Sequence, residues 1–156
     1  MKISLGIVAV AFILTSSQAL ADGTHKHEHH HHADMLGAPG NIKNVSRTVD
    51  VQMSDTMRFT PSTITAKRGE TIRFIVKNTG KLKHEMVLGS ITALKEHAAL
   101  MIKFPQMQHD DPNQVAVTPG KSGEIIWHFT NAGSVDFACL QPGHFEAGMQ
   151  GKVEVK

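Results

Sequence analysis

Residues 123–139 read GEIIWHFTNAGSVDFAC. Two runs rich in β-branched and aromatic residues lie on either side of an Asn-Ala-Gly turn, which is the mark of two short strands rather than of a helix. The same alternation of strand and turn recurs on both sides of this stretch. VSRTVDVQM (45–53) sets Val45, Arg47, Val49 and Val51 against polar neighbours. FTPSTITAKRGE (59–70) holds a turn and then a strand, and TIRFIVKNTG (71–80) stops at Asn78-Thr79-Gly80. HEMVLG (84–89), QVAVTPG (114–120) and GKVEVK (151–156) complete a set of about eight strands. Many short strands with frequent turn signals predict an all-β sandwich or barrel.

One segment breaks this rhythm. In SITALKEHAALMIKFPQMQHDDPN (90–113), Ser90 suits an N-cap, and Ile91, Leu94, Ala98, Met101 and Ile102 recur at roughly helical spacing. Pro105 ends the run. The expectation is one short helix inserted near 91–104, about three turns long, followed by a loop.

The chain has 156 residues, enough for one domain. Its first 21 residues combine Lys2, an apolar run from Leu5 to Leu14 and the small-residue pattern Ala19-Leu20-Ala21. That is a secretory signal peptide; the apolar run is too short for a membrane span. The mature protein is expected to begin near Asp22 in an oxidising compartment, a bacterial periplasm, with no membrane association after cleavage. Residues 22–43 are read as a disordered arm, because DGTHKHEHHHHADMLGAPGN (22–41) has almost nothing to bury. Six of the eleven histidines lie there: His25, His27, His29, His30, His31 and His32. Neutral imidazoles on a flexible chain make a weak, multivalent metal-binding arm. Residues 44–156 are the folded domain. The formal charge is +2, and no basic stripe suggests a nucleic-acid partner.

A single cysteine cannot close an internal disulfide. Cys139 is therefore a buried inert thiol, a dimerisation point or a metal ligand. Its surroundings narrow the choice. DFACLQPGHFEAGMQGKVEVK (136–156) spaces Cys139, His144 and Met149 as Cys-x4-His-x4-Met in one loop between strands. His84, opening HEMVLG after a turn, is the best candidate for a fourth ligand. One thiolate, two imidazoles and a thioether describe a blue-copper type of site, with two His and Cys near trigonal and a weak axial Met. Met86 lies on the same side of its strand as His84. A second cluster, Met101, Met107 and His109, offers thioether and imidazole donors suited to Cu(I). Its alternative is that Met101 packs in the core while Met107 and His109 face water. His128 is read as an outer-face strand residue.

NTGKLKHEMVLG (78–89) and FACLQPGHFEAGMQGKVEV (137–155) resemble the two copper-ligand segments of the cupredoxins. The resemblance covers 45–156. Pro142-Gly143 before the histidine is similar to azurin, and the His-to-Met interval is similar to the type 1 copper loop of nitrite reductases. It implies a Greek-key β-sandwich holding Cu(I)/Cu(II) at His84, Cys139, His144 and Met149. The His-rich arm and the Met/His insertion resemble periplasmic cupredoxins associated with copper tolerance. That implies copper binding or buffering; the alternative is an electron shuttle between redox proteins. The implied partners are copper ions and a redox or copper-handling periplasmic protein. A shuttle would dock through an apolar patch around His144; Gly143, Phe145 and Ala147 are the candidates for it, interrupted by Glu146. Nothing resembles the extra histidines or second domain of copper enzymes, so no enzymatic activity is expected. Glu85 departs from the pattern: many electron-carrying cupredoxins have Asn after the first ligand histidine, and an ionised Glu donates no hydrogen bond.

Overall fold

A computed structural model describes residues 37–105, 107 and 111–156. The chain forms strands β1 (Gly37–Pro39), β2 (Arg47–Ser54), β3 (Arg58–Thr60), β4 (Thr63–Ala66), β5 (Thr71–Asn78) and β6 (His84–Gly89). Helix α1 (Ile91–Lys103) follows, then β7 (Gln114–Val117), β8 (Ser122–Phe129), β9 (Gly133–Ala138) and β10 (Gln150–Val155). They build two five-stranded sheets, in the orders β1-β8-β5-β2-β3 and β4-β10-β9-β6-β7. The pairs β2–β5 and β4–β10 are parallel, and the others are antiparallel.

Period-two patterning decides which side chains meet between the sheets. Val51 and Met53 of β2, Ile72, Phe74 and Val76 of β5, and Ile125, Trp127 and Phe129 of β8 supply one inner face. Ile64, Met86, Leu88, Val135, Phe137 and Val153 supply the other. Phe59 meets Phe137 edge-on, with ring centroids 5.1 Å apart. Strand β6 does not alternate: all six of its residues are buried. His84, Met86 and Leu88 point between the sheets, while Val87 lies under α1 with Leu94, Ala98, Met101, Ala138, Leu140 and Phe145. The helix thus covers the outer face of the second sheet, beside the loop that carries His144. Ser90 Oγ accepts the Ala93 N–H at 3.2 Å and starts it.

The β-sandwich with one short helix is as expected, but the described residues contain ten strands rather than about eight. The additions, β1 and β3, are three residues each. Gly-Ala-Pro has little intrinsic strand preference, and only pairing with β8 makes it a strand. Here the disordered arm read over 22–43 needs correction at its end. Gly37–Pro39 pairs with Trp127–Phe129, and residues 42–44 form a turn of 3₁₀ helix capped by Asn41. Gly37 is required by close approach, since a Cβ there would strike the Trp127 indole. The remainder of the arm and the leader lie outside the described residues.

Candidate metal centre

Four elements end at one pole of the sandwich. β5 leads into the 79–83 loop and then His84; β9 ends just before Cys139; and the 139–149 loop returns to β10. Asn78, fully buried, shapes the approach to His84. Its amide donates to Leu82 O (2.7 Å) and Val117 O (2.9 Å), and its Oδ1 accepts the Gly80 N–H (2.9 Å). The 139–149 loop is closed by its own backbone. Cys139 N–H donates to Met149 O (3.1 Å), Met149 N–H to His144 O (3.0 Å) and His144 N–H to Gln141 O (2.9 Å). Gly143 and Gly148 take φ of 84° and 86°, the left-handed region that these tight turns need.

This architecture brings three donor atoms together. His84 Nδ1 and His144 Nδ1 are 3.2 Å apart. Cys139 Sγ lies 3.3 Å from His144 Nδ1 and 3.9 Å from His84 Nδ1. The point equidistant from all three is about 2 Å from each, close to ordinary metal–nitrogen bond lengths. Two ring nitrogens and a sulfur facing one another across such a gap suit a cation between them. Cys139, His84 and Met149 are fully buried, and His144 is half-buried. Met149, held at backbone level to both Cys139 and His144, shares the core with Cys139 and Met86.

Electrostatics prepare these donors. Burial, followed by the nearness of His84, holds the His144 pKa below its ordinary value, so the ring is neutral and its lone pair available. Burial pushes the Cys139 thiol up to about 12, so without a metal it keeps its proton. Cys139 Sγ also accepts the Glu85 N–H at 3.4 Å.

Two carboxylates surround the site, of which sequence reading singles out Glu85 and misses Asp55. Asp55, in the turn between β2 and β3, accepts from His84 Nε2 at 3.0 Å. A carboxylate only accepts, so Nε2 carries the proton and Nδ1 presents its lone pair to the cluster. The Lys81 N–H, then His84, keep the Asp55 pKa below the usual carboxylate range. Asp in a turn gives no sequence signal of such a role. Glu85 fills the place where an Asn would donate. Its carboxylate accepts from Leu140 N–H and the Gln141 side chain, each at 3.0 Å, and so ties β6 to the cysteine loop as an acceptor.

The other sequence candidates lie elsewhere. Met101 is 4 % exposed and packs with Leu94, Ala98, Leu140 and Phe145, while Met107 is 39 % exposed. Both line a cleft of about 320 Å³ with His97 and Glu85. His109 and the six arm histidines lie outside the described residues. His128 bonds Thr71 Oγ1 at 3.0 Å, at the far end of β8. The expected docking patch also changes: Phe145 turns inward under α1, leaving Gly143 and Ala147 exposed without it.

The profile of copper-binding proteins of the plastocyanin/azurin family matches residues 44–156. The chain belongs to this family. Its relatives include a copper-resistant cuproprotein CopI from Rubrivivax gelatinosus, 53% identical over 150 residues, covering 92% of this chain and 91% of that protein. The Pseudomonas aeruginosa protein of the same name is 38% identical, over 80% of this chain and 84% of its own length. Among solved structures, reduced auracyanin from Roseiflexus castenholzii superposes with a TM-score of 0.62 at 22% identity, covering 72% of this chain and 98% of that one, and shares the fold. Copper is the cofactor of the family, and the His84, Cys139 and His144 cluster fits it.

Proposed function

We propose that this is a periplasmic type 1 copper protein that holds copper through His84, Cys139, His144 and Met149 and contributes to copper tolerance by binding or buffering it. The observation that carries this reading is the match to CopI. Its 92% share of the chain exceeds what residues 44–156 alone supply, so the likeness runs into the His-rich segment as well as the site. Soft sulfur donors favour Cu(I), imidazoles accept both states, and the metal so held supplies a one-electron Cu(I)/Cu(II) change. The ligands sit on buried, hydrogen-bonded elements, so little rearrangement accompanies binding. A four-ligand set leaves no open position for substrate, which supports a non-enzymatic role. For location, the reading rests on the leader sequence; among described residues no helix is long and apolar enough to cross a membrane.

Strand β1, where the described residues begin, lies at the pole opposite the centre. Gly37 pairs with Phe129, whereas the metal pole lies past Asn78 and before Ser122. The eight residues of β8 span about 25 Å between these poles. The six arm histidines, which offer imidazoles without a thiolate, are assigned a weaker, auxiliary role in this reading. An electron shuttle is the competing reading, and the inward turn of Phe145 removes the largest apolar side chain from its docking surface. Growth of a deletion strain in graded copper, set beside its electron-transport rate, tests the proposal. Sensitivity with intact transport supports tolerance; normal copper growth with slowed transport contradicts it.

Loading should be pH-dependent. With its pKa at about 12, the Cys139 thiol must release its proton to bind copper, whereas His144 is already neutral at pH 7. Apparent affinity is expected to rise about tenfold per pH unit from neutrality to about pH 9, with about one proton released per copper. Competition titrations with a chelator of known pH behaviour measure this. A flat profile would exclude the thiol as a ligand.

A further inference from the structure

The turn that carries Asp55 is built around its carboxylate. Met57 N–H donates to Ser54 O at 3.0 Å, and Met57 takes φ of 59°, the left-handed region that a non-glycine residue enters at a cost. The tight turn sets Asp55 against the 79–83 loop. Oδ2 accepts the Lys81 N–H at 2.7 Å, and Oδ1 accepts the Leu82 N–H at 3.2 Å as well as the proton of His84 Nε2. Gly80 makes room: a Cβ at that position would fall on Asp55 Oδ1. Gly80 does not have a positive φ, so its lack of a side chain answers to this carboxylate and not to backbone conformation. Thr79 ties the same loop to β2, its N–H and Oγ1 each 2.9 Å from Met53 O.

From this arrangement we infer that Asp55 is a positioning residue which fixes the His84 tautomer and, through its negative charge, biases the centre toward Cu(II). The inference rests on the ligand assignment proposed above. An anion hydrogen-bonded to the outer nitrogen makes the ring a stronger donor, and the more highly charged oxidation state gains more from it. Among the described residues no carboxylate is seen hydrogen-bonded to the His144 ring: Glu85 contacts the cysteine loop, and Glu146 acts on His144 through its charge alone.

Three substitutions separate charge, hydrogen bond and placement. Asp55→Asn keeps an oxygen that can accept from Nε2–H but removes the charge. Asp55→Ala removes both. Gly80→Ala keeps the carboxylate but displaces it. Each is expected to raise the reduction potential of the copper-loaded protein, by at least 59 mV for Asp55→Ala, equal to a tenfold change in the ratio of Cu(II) to Cu(I) affinity. Thr79→Val is the control: it loosens the same loop, lowers Tm and leaves the potential in place. An unchanged potential in both Asp55 variants, with the intense visible band retained, overturns the inference while sparing the ligand assignment. Absence of that band from the copper-loaded wild type overturns the assignment itself.

Discussion

Replacing Cys139 by serine is expected to abolish the intense visible absorption of the Cu(II)-loaded protein while the sandwich still folds. The band arises from thiolate-to-Cu(II) charge transfer, and Cys139 is the only sulfur in the chain that can become a thiolate. An alcohol is not deprotonated here and contributes no such transition. The fold survives because the exchange is nearly isosteric and the new hydroxyl inherits a partner: the Glu85 N–H already points at this position, 3.4 Å from Sγ. The buried hydroxyl costs about 1–3 kcal/mol, a fraction of a typical domain's stability. Visible absorption and far-UV circular dichroism on the same sample read both halves. Retained colour in Cys139→Ser places the copper elsewhere.

The second large effect is expected in cells. Strains carrying Cys139→Ser should fail at lower added copper than strains lacking only residues 22–34. The reason is the contrast between the two kinds of site. His84, Cys139 and His144 converge on a preformed pole with their backbones already fixed, so binding orders little. The arm, as read from sequence, offers imidazoles without a thiolate, and so a weaker hold on Cu(I). The centre therefore acts at low free copper and the arm at high copper. Plating both strains over a copper series, with electron-transport rate recorded in parallel, measures the order of failure. An unchanged copper threshold for Cys139→Ser together with slowed electron flow supports the shuttle instead.

Much of this was legible in the sequence because the informative features are local. Asn78-Thr79-Gly80, Pro142-Gly143 and the runs at 71–78 and 122–129 carry turn and strand chemistry in adjacent residues, and Cys-x4-His-x4-Met packs three donors into one loop. His84 was found because it opens a strand after a turn. What escaped was set by tertiary contact. Gly37–Pro39 is a strand only because β8 presents an edge to it. Strand β6 has Val87 buried on its outer face because α1 lies over it, which also takes Phe145 from the surface; Met101 packs in the core, as its helical spacing suggested. Asp55 lies 29 residues before His84, and only the parallel register of β2 on β5 brings their ends together. Glu85 broke the expected pattern as a donor, yet it holds the same loop as an acceptor.

The proposed ligand set puts copper among His84 Nδ1, His144 Nδ1 and Cys139 Sγ. Anomalous diffraction at the copper edge from crystals of the copper-loaded mature protein tests it most directly. One strong peak is expected at the point those three atoms share, whether or not the arm is present. A strong peak only at arm histidines, or in the cleft beside Met101 and His97, with none among these three atoms, would contradict it.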